Sequence, residues 1–499
     1  MTPRNRSVCM IGPGISGRLS GGVFLSSRKR HFYFFSGGFY IMQQTEKPVN
    51  QITEGVIWKQ LLYFFFPILL GTFFQQLYNT ADAMVVGRFV GKEALACVGG
   101  SSSQIINLIV GFFIGLSSGA TVIIAQYYGG RCEKELQDTL HTAMAFSIIG
   151  SVVISILGIT LSPMILRMMN TPEYLMKDSL LYLRFYFGGI LFVFIYNIGS
   201  GILRAVGDSK GPLYFLIFCC FCNIFLDLLL VMVFRMGVMG VALGTLISQA
   251  LSSLLVLRSL MRTRDIYRLE LRKIRLHSAP LSMLLKIGLP AGLQSTMYNL
   301  ANMVIQAALN SFGTDTMAAW TAFGKVDSFY WMISSAFGVA ITTFVGQNYG
   351  AGKIDRMKKS VRVCFCMDLA TALTLSALMY LFLGKFLLSL FTTDAEVLSI
   401  GVRIMQIIVP AYAPFVFIEI FSGALRGAGN VLIPMLLTCG GICVTRILWI
   451  FFFVPSHRAV ETIIFSYPGS WVLTAILFVL YFTWYARKHW NHTASGESL

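Results

Sequence analysis

SGILRAVGDSKGP at residues 200–212 and SGALRGAGNVLIP at residues 422–434 are two versions of one segment, separated by about 220 residues. Two further pairs keep that offset. LYNTADAMVVGRFVGKEALA (77–96) matches MYNLANMVIQAALNSFGTDTMAA (297–319), and IIAQYYGG (123–130) matches FVGQNYGA (344–351). A repeat this long means that the chain contains two copies of one structural unit, and it limits the fold more than any other feature.

Composition says what the unit is made of. Of 499 residues, 56% are hydrophobic and 12% charged, against roughly 25% charged in a soluble domain. A water-soluble globular protein is excluded. Apolar windows of about 20 residues, enough for one spanning helix, occur near 58–82, 95–124, 138–162, 178–203, 212–234 and 238–259. A second set follows near 284–310, 316–346, 361–383, 397–424, 431–454 and 468–486. The expected fold is therefore an all-α polytopic membrane protein with twelve transmembrane helices in two six-helix repeats. Both repeats start on the same side, so they are parallel, and a path for a substrate is expected at their interface, which favours a transporter over a receptor.

The predicted organisation is an N-terminal extension (1–50, disordered or upstream of the true start), a six-helix lobe (51–260), a basic linker (261–282), a second six-helix lobe (283–490) and a disordered tail (491–499). The formal net charge of +17 sits in the gaps between apolar runs rather than on a nucleic-acid-binding stripe, so no nucleic acid partner is expected. The linker MRTRDIYRLELRKIRLHSAPLS carries Arg262, Arg264, Arg268, Arg272, Lys273 and Arg275, and a second loop carries Lys353, Arg356, Lys358, Lys359 and Arg362. Loops of opposite parity hold only isolated charges such as Arg235, Lys385 and Arg458. By the positive-inside rule both termini face the cytoplasm.

Ionisable groups inside spans cost roughly 2.5–3.5 kcal/mol at the centre, so each is a functional candidate. Gln75, Asn79 and Asp82 fall at i, i+4 and i+7 of the first span, with Tyr78 beside them. Asn223 and Asp227 are four apart in the fifth span, on one face of an apolar helix. A carboxylate there must protonate, pair or hold a hard cation, and Thr245 in the sixth span offers a further oxygen. The positions aligned with Asp82, Asn223 and Asp227 are Asn302, Thr445 and Trp449, so this chemistry is expected in one lobe only. The second lobe offers Lys325 and Asp327, expected either as a structural ion pair or at a position near the water interface, with Glu419 and Arg446 as further charges. Pro67, Gly71, Pro290 and Gly292 interrupt the first span of each half.

At these residues the chain resembles the multidrug and toxic compound extrusion (MATE) family of the multidrug/oligosaccharidyl-lipid/polysaccharide flippase superfamily, especially its DinF-like branch. The likeness covers about residues 50–490. It rests on Tyr78, Asn79 and Asp82 in Y-N-x-x-D, on Gly115, Gly119, Ala120, Gln126 and Gly129, and on S-G-x-L-R-x-x-G in both halves. The resemblance implies V-shaped lobes and a secondary active antiporter in a bacterial plasma membrane. It implies export of organic cations or amphipathic drugs in exchange for sodium ions or protons, by a monomer needing no other cofactor. It carries the cation-coupling role onto Asp82, Asn223, Asp227 and Thr245, and suggests Asn197 beside them. Expected substrate-cavity residues are Gln75, Tyr78, Asn79, Asn197, Gln294, Asn299, Lys325 and Asp327. The seventh-span Glu of the eukaryotic branch is missing, Gln294 being the nearest polar residue. The alternative is a flippase for a lipid-linked saccharide or other lipid, which needs a basic cavity, whereas buried Arg and Lys look sparse. No nucleophile, metal or Gly-Lys-Ser phosphate motif points to an enzyme or an ATP-driven pump.

Overall fold

The computed structural model describes residues 52–490 apart from residue 170; the expected extension at 1–50 and tail at 491–499 lie outside the described residues, as does residue 51. The described chain forms twelve long helical stretches, besides a short 3-10 turn at Leu271–Lys273 between the sixth and seventh. The first six are α1 (Ile57–Val90), α2 (Lys92–Gly130), α3 (Glu133–Met168), α4 (Glu173–Gly188 and Ile190–Ala205, bent by 46°), α5 (Lys210–Val233) and α6 (Val238–Arg262). After the linker come α7 (Ser278–Asn310), α8 (Thr314–Gly350), α9 (Ile354–Ser389), α10 (Ala395–Gly427), α11 (Leu432–Phe452) and α12 (Val460–Trp490).

Ten of these are long and apolar enough to cross a membrane, and the bent α4 pair makes an eleventh. α7 has 33 residues, about 50 Å at helical rise, so it is long enough; what it lacks is hydropathy. Gln294, Asn299, Asn302 and Gln306 all sit on it and line an internal cavity, so its polarity belongs to its position.

The first helix of each half joins the two lobes. Before Pro67, α1 packs on α8: the Phe65 and Phe337 rings stack at 4.2 Å and Phe64 meets Phe344 edge-on at 6.0 Å. Beyond Pro67 it runs along α5, where Phe74 approaches Phe221. α7 also bridges the lobes, lying along α2 on both sides of Pro290 and packing on α11 as well. Small residues permit the α2–α7 approach: a Cβ on Gly115 would meet the Ala291 backbone at 2.6 Å, and one on Gly119 would meet Leu284 O at 2.7 Å.

On the linker side the lobes are tied by their repeated motifs. Gln126 Nε2 donates to Gly427 O at 2.8 Å. Its counterpart in the second copy, Gln347 Nε2, donates to Ala205 O at 2.6 Å. Gly129 lies against the Gln347 backbone and Gly350 against that of Gln126, with no room for a Cβ on either. The segment preceding α1 is clasped by the opposite lobe: Arg356 Nε donates to Ile52 O at 3.1 Å, Nη1 to Gly55 O at 2.7 Å, and Nη2 to Glu54 O at 2.8 Å.

Candidate functional site

Two polar regions stand out, one inside the first lobe and one between the lobes. In the first lobe, the side chains of Asp227, Thr245 and Asn223 surround the Asp82 carboxyl. All four residues are buried, Asp227 completely, at 0% exposure. Two π-helical turns position the carboxyls: Val86–Val90 just past Asp82 and Leu229–Val233 just past Asp227. Such turns re-aim side chains within a helix and are common at functional positions.

Thr245 Oγ1 donates to Asp82 Oδ2 at 3.4 Å. Asp82 Oδ1, both Asp227 carboxyl oxygens, and Oδ1 and Nδ2 of Asn223 are sealed from solvent, and with both carboxyls ionised none of them has a hydrogen-bond partner, whereas one shared proton lets Asp82 and Asp227 bond to each other. Buried polar atoms normally have partners, so this concentration of orphaned oxygens is unusual. Gly244 makes the arrangement possible, since a Cβ there would strike Asp227 Oδ1. Carboxylate, amide and hydroxyl oxygens are the donor set that a hard cation takes. Among the described residues no three of His, Cys, Asp and Glu gather as a metal cluster, so the set suits a proton or a monovalent cation better than a transition metal. Tyr78 OH accepts from Gln249 Nε2 at 3.4 Å near the same cluster.

Between the lobes lies a cavity of about 820 Å³. It is walled by α2, α4, α7, α8, α10, α11 and α12, and its charged lining comprises Arg204, Asp327, Glu419, Arg426 and Arg446. Asp327 Oδ2 accepts from Trp331 Nε1 at 2.6 Å, and Oδ1 accepts from Tyr412 OH. Glu419 Oε1 and Arg426 Nη2 are 3.7 Å apart.

Of the expected cavity residues, Asn197, Gln294, Asn299 and Asp327 line this space, and Tyr78 borders a small crevice beside Asn223 and Thr245. Gln75 and Asn79 do not: they are exposed and outside the lining, because the polar stripe of α1 is covered only at Asp82. Lys325 is likewise exposed and makes no ion pair with Asp327. Residues two apart on a helix point to different sides.

Three features go beyond the sequence reading. Arg204 and Arg426, the same position in the two SGxLR copies, both reach the cavity, so basic groups are less sparse than composition suggested. Buried carboxylates are not confined to one lobe: Asp368 on α9 is 1% exposed, near Glu419, with both oxygens unpartnered. A lone carboxylate in the apolar run around it was the available signal. The paired glutamines that tie the lobes sit in the repeated QYYG and QNYG segments, where only the three-dimensional arrangement shows their partners.

Residues 67–229 and 290–452 each match the sequence profile of the MatE family. The chain is 29% identical to the probable multidrug resistance protein YoeA of Bacillus subtilis, over 90% of this chain and 98% of that protein. It is 30% identical to the probable multidrug resistance protein YpnP of the same organism, over 79% and 88%. A solved multidrug resistance MATE family transporter in an outward-facing conformation superposes with a TM-score of 0.82 at 22% identity, covering 90% of this chain and 99% of the other. With two repeated lobes, helices that cross a membrane and a cavity between them, the chain belongs to the MATE family and is a multi-span membrane transporter, not an enzyme.

Proposed function

We propose that this transporter is a secondary active antiporter that exports cationic or amphipathic organic compounds in exchange for sodium ions or protons across a bacterial plasma membrane, with both termini cytoplasmic. The observation that carries the reading is the sealed Asp82–Asp227 cluster with its unpartnered oxygens, lodged in one lobe beside an inter-lobe cavity of about 820 Å³. That volume suits a drug-sized ligand. A cation or proton there relieves the desolvation and mutual repulsion of two carboxyls, and a lobe state that offers the complete donor set binds it more tightly. Only such a difference in affinity can drive a conformational change.

With the basic linker in the cytoplasm, the state described is closed inward, because the Gln126 and Gln347 ties lie on that side. Rocking of the lobes about the cavity then exposes it alternately to the two sides. α1 is the element suited to transmit the signal. It carries Asp82, and its Pro67 separates the part on α8 from the part on α5.

The test is efflux of a fluorescent organic compound from proteoliposomes under a sodium gradient or a pH gradient, imposed separately, with wild type and Asp227→Asn side by side. One gradient drives efflux in wild type, and the variant loses that drive while remaining folded. Gradient-driven efflux that survives in Asp227→Asn refutes the assigned coupling site. The three cavity arginines favour one second reading, a lipid-linked saccharide or other lipid as cargo; scrambling of a labelled lipid in the same vesicles, with no dye efflux, selects it.

A further inference from the structure

The charges that line the cavity are not equally available. Asp327 is held by Trp331 and Tyr412, and Glu419 faces Arg426. Arg446 differs. It is 3% exposed, yet it borders the cavity. Its Nε donates to Ser470 Oγ at 3.0 Å, and its guanidinium carbon stands 3.8 Å from the centre of the Tyr467 ring, with Trp471 at 5.5 Å. Among the described residues no carboxylate lies within ion-pair distance of it, and neither terminal nitrogen has a hydrogen-bond partner. Asp327 is the acidic group whose field reaches it, but the oxygens of that carboxyl accept from Trp331 and Tyr412 and make no direct contact with the guanidinium.

A buried cation without a paired anion is costly. Stacking on Tyr467 offsets part of that cost and holds the planar fork in one orientation. What is left is a pre-oriented pair of N–H donors at the wall of a ligand-sized space, the geometry that binds carboxylate or phosphate in bidentate fashion. Tyr298 and Tyr467 also border the space and supply aromatic surface. Arg204, at the linker end of the same cavity, makes no ion pair among the described residues, and Arg204, Arg426 and Arg446 against Asp327 and Glu419 leave the lining with a formal excess of one positive charge.

We infer that Arg446 is a recognition point for an acidic oxyacid group, a carboxylate or phosphate, on an aromatic compound carried in the cavity. The inference rests on the reading of the inter-lobe cavity as the substrate path and narrows its cargo from cationic or amphipathic compounds in general to those that also bear such an acid.

The experiment measures binding of two fluorescent xanthene dyes, one a free carboxylic acid and the other its ethyl ester, to the full-length protein in phosphatidylcholine nanodiscs. The acid is expected to bind about tenfold tighter or more, since a charge-assisted bidentate contact contributes that much. Arg446→Gln should remove the preference and leave ester affinity unchanged, while Arg446→Lys, which keeps the charge and loses the fork, should retain part of it. Inorganic phosphate should compete with the acid and not with the ester. Phosphatidylglycerol in the nanodisc removing the acid's advantage identifies a lipid headgroup as the source of the anion; no effect identifies a soluble compound. Equal binding of both dyes by wild type, or tighter binding of the ester, overturns the inference and leaves the export reading in place. Arg446→Gln weakening both dyes alike makes Arg446 a structural residue and also overturns it. If that variant does not fold, the wild-type comparison and Arg446→Lys still decide. Binding of neither dye removes the cavity reading itself.

Discussion

Removing the paired glutamine ties should release the linker-side contact between the lobes. Gln126 and Gln347 each donate from one lobe to a buried backbone carbonyl of the other, at 2.8 and 2.6 Å, and separating the lobes on this side must break both bonds. Truncating either to Ala removes a net contribution of about 1 kcal/mol and leaves a carbonyl unsatisfied, so the double variant loses roughly 2–4 kcal/mol in this state alone. At about 1.4 kcal/mol per factor of ten, the equilibrium between lobe arrangements moves by roughly 30- to 700-fold. That is enough to bring a minor state into view. The assay is a spin-label distance distribution between Lys134→Cys at the start of α3 and Lys359→Cys near the start of α9, both exposed positions, with the exposed native thiol Cys366 replaced by Ser. Wild type should show one distance, and Gln126→Ala/Gln347→Ala a second, longer population. An unchanged distribution in a variant that remains monodisperse refutes the argument. It would place the tie in the Gly129 and Gly350 backbone contacts instead.

Asp227→Asn should lose gradient-driven efflux without losing stability, because it removes an unpaired buried charge; a melting temperature well below wild type would show that the carboxyl has a structural partner. Gly244→Ala places a methyl group against Asp227 Oδ1 and should abolish stabilisation by the coupling ion, which reaches about 2.7 kcal/mol at a hundred times Kd. Thermal unfolding in sodium against choline, and across pH, reads this directly, and a wild-type shift in Gly244→Ala would sink the assignment. Arg356→Ala removes the clasp on Ile52, Glu54 and Gly55 at a cost of about 1–2 kcal/mol. Hydrogen exchange over residues 52–60 should accelerate while exchange in α9 beyond its first turns stays as it is.

The helical spans, the two-fold repeat and the family were legible in the sequence, because hydropathy over about 20 residues and recurrence of a motif are properties of the chain read along its length. So was the Asn223–Asp227 pair, since residues four apart on a helix share a face. The limits fall where contacts join distant segments. Asp82 meets Thr245 across 163 positions, and nothing in either span names the other. Lys325 and Asp327 are neighbours in sequence but diverge on the helix, and the carboxyl found Trp331 one turn on and Tyr412 on α10 instead. Arg204 and Arg426 look like interfacial basic residues of two separate helices until the lobes set them around one cavity. A span's hydropathy records how much of a helix can face lipid, whereas the direction and partner of each polar group are set by the helices packed against it. Tertiary structure alone therefore decided which charges are paired, which oxygens are left without a partner, and where Arg446 presents its fork.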